Sequence, residues 1–231
     1  MPGEKLFVAP NALDTEEMVR VKQALTVADL EEFRRQLGIT GKRIIVFCGR
    51  LMKRKRPDLL LHAMALVVRT IPQAHALIVG DGPWGGEMRR LCSALGLDHA
   101  VSFLGSVFEE STLARCFLAS QAAVIPAAAG LNVQHAFAYG IPVIAGNDSR
   151  GHGPEIALVQ HQVTGLLCRA EVPASFAQAI VELFTDEALR TRLGDNARNL
   201  VQQRYTLEFM ADGFWAAVDY CARAKDLSGA G

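Results

Sequence analysis

Arg43-Ile44-Ile45-Val46-Phe47-Cys48-Gly49-Arg50-Leu51-Met52-Lys53-Arg54-Lys55-Arg56-Pro57-Asp58 is the stretch that decides the fold. Its apolar run, Ile44–Phe47, is bounded by charges and reads as a buried strand. Pro57 is a favourable first helical residue, and Leu59–Val68 carries helical periodicity behind it. The basic cluster therefore lies in a strand-to-helix loop, on the edge of a parallel α/β sheet where ligands bind. Five cations in the seven residues 50–56, next to outward-pointing amide N–H groups of a helix start, favour an anion such as a diphosphate. Taken alone, the cluster is equally a solvated basic loop.

Working outward, the alternation continues. Strands are expected at Arg43–Phe47, Ala76–Val79, Val101–Leu104, Ala122–Ile125, Pro142–Ala145 and Gly165–Leu167. Helices are expected at Pro57–Thr70, Glu87–Leu95, Glu109–Ala119 and Leu131–Tyr139. This spacing indicates βαβ units and a doubly wound, Rossmann-like parallel sheet covered on both faces. Before it, Leu6–Ala9 runs into the turn Pro10–Asp14, the helix-like Thr15–Leu25 and the amphipathic Asp29–Leu37, which Gly38 closes. After Pro173 only helices follow, at Ser175–Phe184, Glu187–Arg204 and Thr206–Ala224, with Asp186 and Thr206 as N-caps. The expected division is an entry segment with helices (1–40), a ligand-binding domain (41–172), C-terminal helices packed on it (173–226) and a frayed tail (227–231).

Composition narrows the function. The formal net charge of the 231 residues is zero, which disfavours a broad electrostatic grip on nucleic acid. Cys48, Cys92, Cys116, Cys168 and Cys221 are odd in number and lack CxxC spacing, so neither a zinc site nor a disulfide framework is expected, and a reducing compartment suits them. No run approaches the roughly 18 apolar residues of a membrane span. Met1–Lys5 lacks the pattern of a secretory signal, so a cytoplasmic location is expected, with peripheral membrane contact compatible.

Further loops share the sheet edge with the basic cluster. Gly80-Asp81-Gly82-Pro83 is a tight turn permitting close backbone approach, or a turn and nothing more. Gly105-Ser106-Val107 offers backbone groups to a base. Pro126–His135 places small residues and Gly130 before a helix start, leaving amides uncovered for a phosphate. His135 lies about one turn inside that helix and either faces the crevice or packs through a hydrogen bond. In Gly146–Glu155, Asn147, Asp148 or Glu155 could meet a sugar, or Glu155 could complement a short helix. No Asp-x-Asp pair, GxSxG elbow, GxxxxGK[ST] loop or GxGxxG fingerprint is present. Neither a metal nor a cofactor is expected, and charge developing on a phosphate would be met by Arg50, Lys55 and the Gly130 helix start.

Gly49-Arg50 with Lys55 and Pro57-Asp58-Leu59-Leu60, then Ile78–Pro83, Val101–Gly105, Ala138–Ala145, Gly153-Pro154-Glu155 and Thr164–Leu167, recur in one order. This order resembles the nucleotide-sugar half of retaining GT-B-fold glycosyltransferases of family 4. The resemblance extends from about Leu6 to about Tyr205, and Pro10–Asp14 is similar to the segment joining that family's two domains. It implies a nucleoside-diphosphate sugar as partner, metal-independent transfer with retention and a hexosyltransferase of polysaccharide biosynthesis. Arg50 and Lys55, beside Gly49, would hold the diphosphate and stabilise its departure. Gly130, Leu131 and Asn132 would meet the phosphates, Gly105 and Val107 the base. Gly80, Gly82, His135 and Glu155 complete the implied donor site.

Two departures stand out. The family's glutamate pair, eight residues apart, is replaced by Ala127 and His135, so a sugar contact is lost while His135 can still bond a ribose hydroxyl. GLNVQHAFAYG, with the later GHGPE, resembles a subgroup with GL-x-x-x-H at this place. The family's acceptor-binding first domain, roughly another 150 residues, also lies outside the sequence. It is expected as a separate polypeptide or as the missing remainder of a fragment. A non-catalytic nucleotide-sugar module is the main rival. A GT-B-like epimerase, lacking paired carboxylates, and a dinucleotide oxidoreductase, lacking its fingerprint, fit less well.

Overall fold

The computed structural model describes residues 6–228. The signal-peptide reading of Met1–Lys5 and the tail residues 229–231 lie outside them. Two helices, α1 (Thr15–Ala24) and α2 (Val27–Gln36), precede β1 (Arg43–Cys48), α3 (Pro57–Thr70), β2 (Ala74–Val79), α4 (Gly85–Ala94) and β3 (Val101–Gly105). Then come α5 (Glu110–Leu118), β4 (Ala122–Ile125), α6 (Leu131–Ala138), β5 (Val143–Gly146) and β6 (Gly165–Cys168), and finally α7 (Pro173–Thr185), α8 (Glu187–Arg204) and α9 (Leu207–Ser228).

The strands form one parallel sheet in the order β3-β2-β1-β4-β5-β6. Ile44–Phe47, all of β2, β4 and β5 are buried, as a sheet covered on both faces requires. One apolar layer packs Leu60, Leu61 and Met64 of α3 with Phe176, Ile180 and Leu183 of α7. The opposite layer packs Met18 of α1, Phe33 of α2, Phe117 of α5, Val133 and Phe137 of α6 and Val201 of α8. The chain order reverses between β1 and β4, so the loops after these strands flank the switch-point crevice.

Several boundaries differ from the sequence reading for local reasons. The α2 helix starts at Val27 rather than Asp29. Thr26 Oγ1 accepts the Asp29 amide while the Asp29 carboxylate accepts the Thr26 amide, a reciprocal capping box. β2 starts at Ala74 because buried His75 finds a partner in Ser102 Oγ at 2.9 Å. The expected caps are in place: Asp186 accepts the Leu189 amide at 2.8 Å and Thr206 the Phe209 amide at 3.2 Å. At the sheet edge away from the crevice, cations close helix C-termini. Lys22 donates to the Tyr139 carbonyl, Arg34 to that of Ala119 and Arg190 to that of Leu183.

The last helix, α9, runs beside the entry segment, where a Cβ on Gly213 would sit 2.2 Å from the Val8 carbonyl oxygen. It leaves Phe214 and Trp215 60% and 65% exposed. Among the described residues, no helix is long and apolar enough to cross a membrane.

Candidate functional site

The basic loop is folded by backbone bonds to its neighbour. Leu51 N–H donates to the Asp81 carbonyl at 2.9 Å, and Trp84 N–H to the Leu51 carbonyl at 3.0 Å. This packing explains two glycines. A Cβ on Gly80, whose φ is +130°, would lie 2.1 Å from the Gly49 carbonyl oxygen; one on Gly82 would lie 2.3 Å from that of Leu51. The close approach these residues permit is therefore between two loops. Within the basic cluster, Lys53–Lys55 forms a 3-10 turn and Arg56 takes the left-handed conformation before Pro57 starts α3.

That arrangement turns Lys55 inward. Its aliphatic chain lies under Gly49, and its Nζ donates to the Ala128 carbonyl at 2.8 Å, joining the first loop to the fourth. Burial, then Arg54, lower the ammonium pKa, while Cys48 and Glu155 oppose them. Arg50, by contrast, is exposed. It lines a cavity of about 360 Å³ with Cys48, Gly49, Val79, Gly80, Asp81, Ser106, Val107 and Phe108.

The start of α6 supplies the amides, with one correction. The Gly130 N–H is already taken by Asn132 Oδ1 at 3.0 Å, because the Asn132 side chain folds back over the turn. Asn132 Nδ2 in turn donates to the Cys48 carbonyl at 3.1 Å, fixing the helix start to the end of β1. The helix has no side-chain cap, so the N–H groups offered to an anion are those of Leu131 and Asn132.

Two expected residues are directed elsewhere. His135 does not face the crevice with a spare donor. Its Nε2 bonds Glu110 Oε1 at 2.8 Å, and its ring stacks on Phe117 and Tyr139. Buried Glu155 lies apart from the 360 Å³ cavity, lining instead a cavity of about 320 Å³ with Val8–Asn11, Gln134, Pro154, Leu158 and Tyr205. The Pro154–Leu158 3-10 turn folds it under the fourth loop, and its charge still reaches Lys55. Gly82 and Gly105 stand behind the cavity wall, and Gly105 accepts the Gly80 N–H at 2.7 Å.

Sequence reasoning missed Glu110 as part of this edge, and it named the loops holding Asp81 and His152 without giving either side chain a role. His152 Nδ1 accepts the Ala129 amide at 3.0 Å, so its neutral ring carries its proton on Nε2. Burial pushes its pKa down, against the pull of Asp148, which keeps Nδ1 an acceptor and the fourth loop in place. Its signal was present in Gly151-His152-Gly153, but the partner is 23 residues away. Cys48, pushed up to about 11 by burial and Glu110, stays a thiol and is no nucleophile. Among the described residues, no three His, Cys, Asp or Glu side chains gather as a metal site.

This doubly wound strand order agrees with comparison to known proteins. The family description "Glycosyl transferases group 1" matches residues 29–200. The chain belongs to the group 1 glycosyltransferases.

Among curated members of this family, the chain is similar to the GDP-mannose-dependent alpha-(1-6)-phosphatidylinositol monomannoside mannosyltransferase of Mycobacterium tuberculosis. The two are 31% identical over 219 residues, 91% of this chain and 54% of the relative. Such group 1 relatives extend well beyond the match, and the chain spans about half the length of the curated relatives it matches. Among solved structures, sucrose-phosphate synthase from Thermosynechococcus elongatus superposes with a TM-score of 0.70 at 29% identity, covering 96% of this chain and 53% of that one. Anabaena HepE in complex with UDP-glucose superposes with a TM-score of 0.77 at 23% identity, covering 93% and 57%, a likeness of fold. The C-terminal domain of LpcC from Francisella tularensis, at 21% identity and a TM-score of 0.69, is covered over 99% of its length by 84% of this chain. The group 1 architecture is thus that of a GT-B C-terminal domain.

Proposed function

We propose that this chain binds a nucleoside-diphosphate sugar in the crevice and forms the donor half of a metal-independent, retaining hexosyltransferase. The observation that carries the reading is the convergence of the Lys55 ammonium on the Ala128 carbonyl of the fourth loop, three residues before the uncapped start of α6 at Leu131. Arg50 lines the 360 Å³ cavity next to Gly49, a cavity whose lining includes neither Lys55 nor the start of α6. A diphosphate laid along this edge meets an ammonium, a guanidinium and the N–H groups of Leu131 and Asn132. Val107 and Phe108 offer apolar surface to a base.

In transfer, the bond from the anomeric carbon to the phosphate oxygen breaks and its electron pair stays on that oxygen. Lys55, Arg50 and the α6 amides meet the charge as it grows, an electrostatic contribution of several kcal/mol at a preorganised site. The acceptor hydroxyl forms the new bond on the same face of the sugar and passes its proton to the departing phosphate oxygen. The acceptor is held outside residues 6–228, on a further domain or a partner.

Calorimetric titration with UDP, GDP and their sugars tests the donor site, followed by a transfer assay with acceptors of the group 1 type. Tight binding of a nucleoside diphosphate supports it, and no binding of any of these ligands refutes it. Binding without transfer, with every acceptor domain supplied, favours a non-catalytic nucleotide-sugar module.

A further inference from the structure

A cavity of about 280 Å³ lies on the other edge of the sheet. Its walls come from α1, α2 and α8 and from the turns that lead into β4 and β5, so it opens at the N-terminal ends of the strands, away from the crevice. Four cations line it, Lys22, Arg34, Arg190 and Arg198, against the single carboxylate of Asp195. Four positive groups against one negative leave three in excess, in a chain whose formal net charge is zero. All four cations are half-buried, so solvent and salt screen them less than they screen cations on an open surface.

Helix capping accounts for part of this cluster. Lys22, Arg34 and Arg190 each give one hydrogen bond to a carbonyl at a helix end, which answers the partial negative charge of those ends. Capping leaves donors over, because a guanidinium carries five N–H groups and an ammonium three. Arg34 Nε is buried with no partner among the described residues. Arg198 caps no carbonyl. Its Nη2 donates to Asp195 at 2.8 Å, while its Nη1 lies over the α6–β5 turn, 3.4 Å from where a Cβ on Gly140 would sit. Gln121 turns its Oε1 to the Ile44 amide, so its Nε2 hydrogens are a further donor on the same wall. Burial and then Arg198 lower the Lys22 pKa, against the pull of Asp195, as crowding of two cations requires.

The donors select the ligand. A phosphate monoester brings a charge of about −1.5 to −2 at neutral pH and three strong acceptor oxygens, whereas a carboxylate brings one charge and two oxygens. Planar guanidinium forks match phosphate oxygens in pairs. At about 280 Å³ the cavity falls just short of the usual range for drug-sized ligands, so it suits a phosphate group rather than a whole nucleotide. We propose that this cavity binds a phosphate group, carried by a soluble ester or by a lipid headgroup, through Lys22, Arg34 and Arg198. The proposal does not rest on the nucleotide-sugar reading, which concerns the opposite edge.

The test follows backbone amides by heteronuclear NMR while the chain is titrated with inorganic phosphate at constant ionic strength. Saturable shifts are expected at Gly140, Ile141 and Thr191, which line the cavity, and Lys55→Ala should leave them unchanged. Since Arg198 caps no helix end, Arg198→Gln should stay folded, and losing one charge-assisted bond should weaken phosphate binding about 10- to 100-fold. Flotation with phosphatidylcholine vesicles, with and without phosphatidic acid, separates the two sources. Capture that needs phosphatidic acid and is lost in Arg198→Gln assigns a lipid headgroup; phosphate binding without such capture assigns a soluble ester. Capture that Arg198→Gln leaves intact belongs to another surface and counts as none. The proposal is overturned if neither saturable shifts nor Arg198-dependent capture is seen. It is equally overturned if acetate reproduces the shifts, or if folded Arg198→Gln binds phosphate as the wild type does; the cations are then helix caps alone.

Discussion

Replacing Lys55 by alanine separates the two things its ammonium does. In the free protein it makes one hydrogen bond, to the Ala128 carbonyl at 2.8 Å, and Ala128 is held at a φ of +49°. Losing that bond costs about 1 kcal/mol of stability, a fall of several degrees or less in Tm for a domain of this size. The binding effect is larger. An ammonium about 4 Å from a phosphate charge, at an effective dielectric near 20, contributes about 4 kcal/mol before its desolvation is deducted. A net gain of about 3 kcal/mol corresponds to a loss of roughly 100- to 200-fold in nucleoside-diphosphate affinity. Calorimetry should show this for UDP or GDP and little change for the parent nucleoside, with turnover lost when an acceptor domain is supplied. Lys55→Arg should not restore it, because a planar fork cannot replace a compact ammonium beneath Gly49. Wild-type diphosphate affinity in a folded Lys55→Ala variant would refute the placement of the phosphates.

Further outcomes follow from the packing. His75 is buried with its pKa lowered to about 4 from 6.5, chiefly by burial. A depressed histidine contributes stability that is complete above pH 6.5 and is lost as pH falls towards 4, about 3 kcal/mol in all, so urea titrations of His75→Gln should lack that share of the acid slope. Gly82→Ala should force the Leu51 carbonyl aside and lower stability and diphosphate affinity together, whereas Gly86→Ala, with open space around its Cβ, should do neither; equal melting curves for the two would contradict the loop packing. Asp186→Ala removes the cap on the Leu189 amide and should cost about 1 kcal/mol by chemical denaturation, a loss that Asp186→Ser largely avoids.

Much of the architecture was legible because it rests on short-range chemistry. Ile44–Phe47 and Ala122–Ile125 are runs too apolar to lie anywhere but inside a covered sheet, and Pro57 and Asp186 mark helix starts by local geometry. The basic loop and the small-residue loop before α6 were recognisable as one edge of that sheet. His135 was left open between the crevice and a packing hydrogen bond because periodicity gives the face of a helix but not what covers it. Its partner, Glu110, lies 25 residues earlier on another helix, and Tyr139 joins the same oxygen. Gly130 misled for a smaller reason: an asparagine two residues on can turn back and take its amide.

The order of apolar runs, turn residues and charged loops was enough to determine a doubly wound α/β domain and to put the basic loop and the small-residue loop on one sheet edge. Those features depend on local preference and on burial, which a linear pattern encodes. Only tertiary structure decided that β1 lies beside β4, that Lys55 reaches Ala128, and that His135 is bonded to Glu110. Each of these is a contact between residues far apart in the chain, chosen by how helices and loops pack across the sheet, and no spacing in the sequence carries that choice.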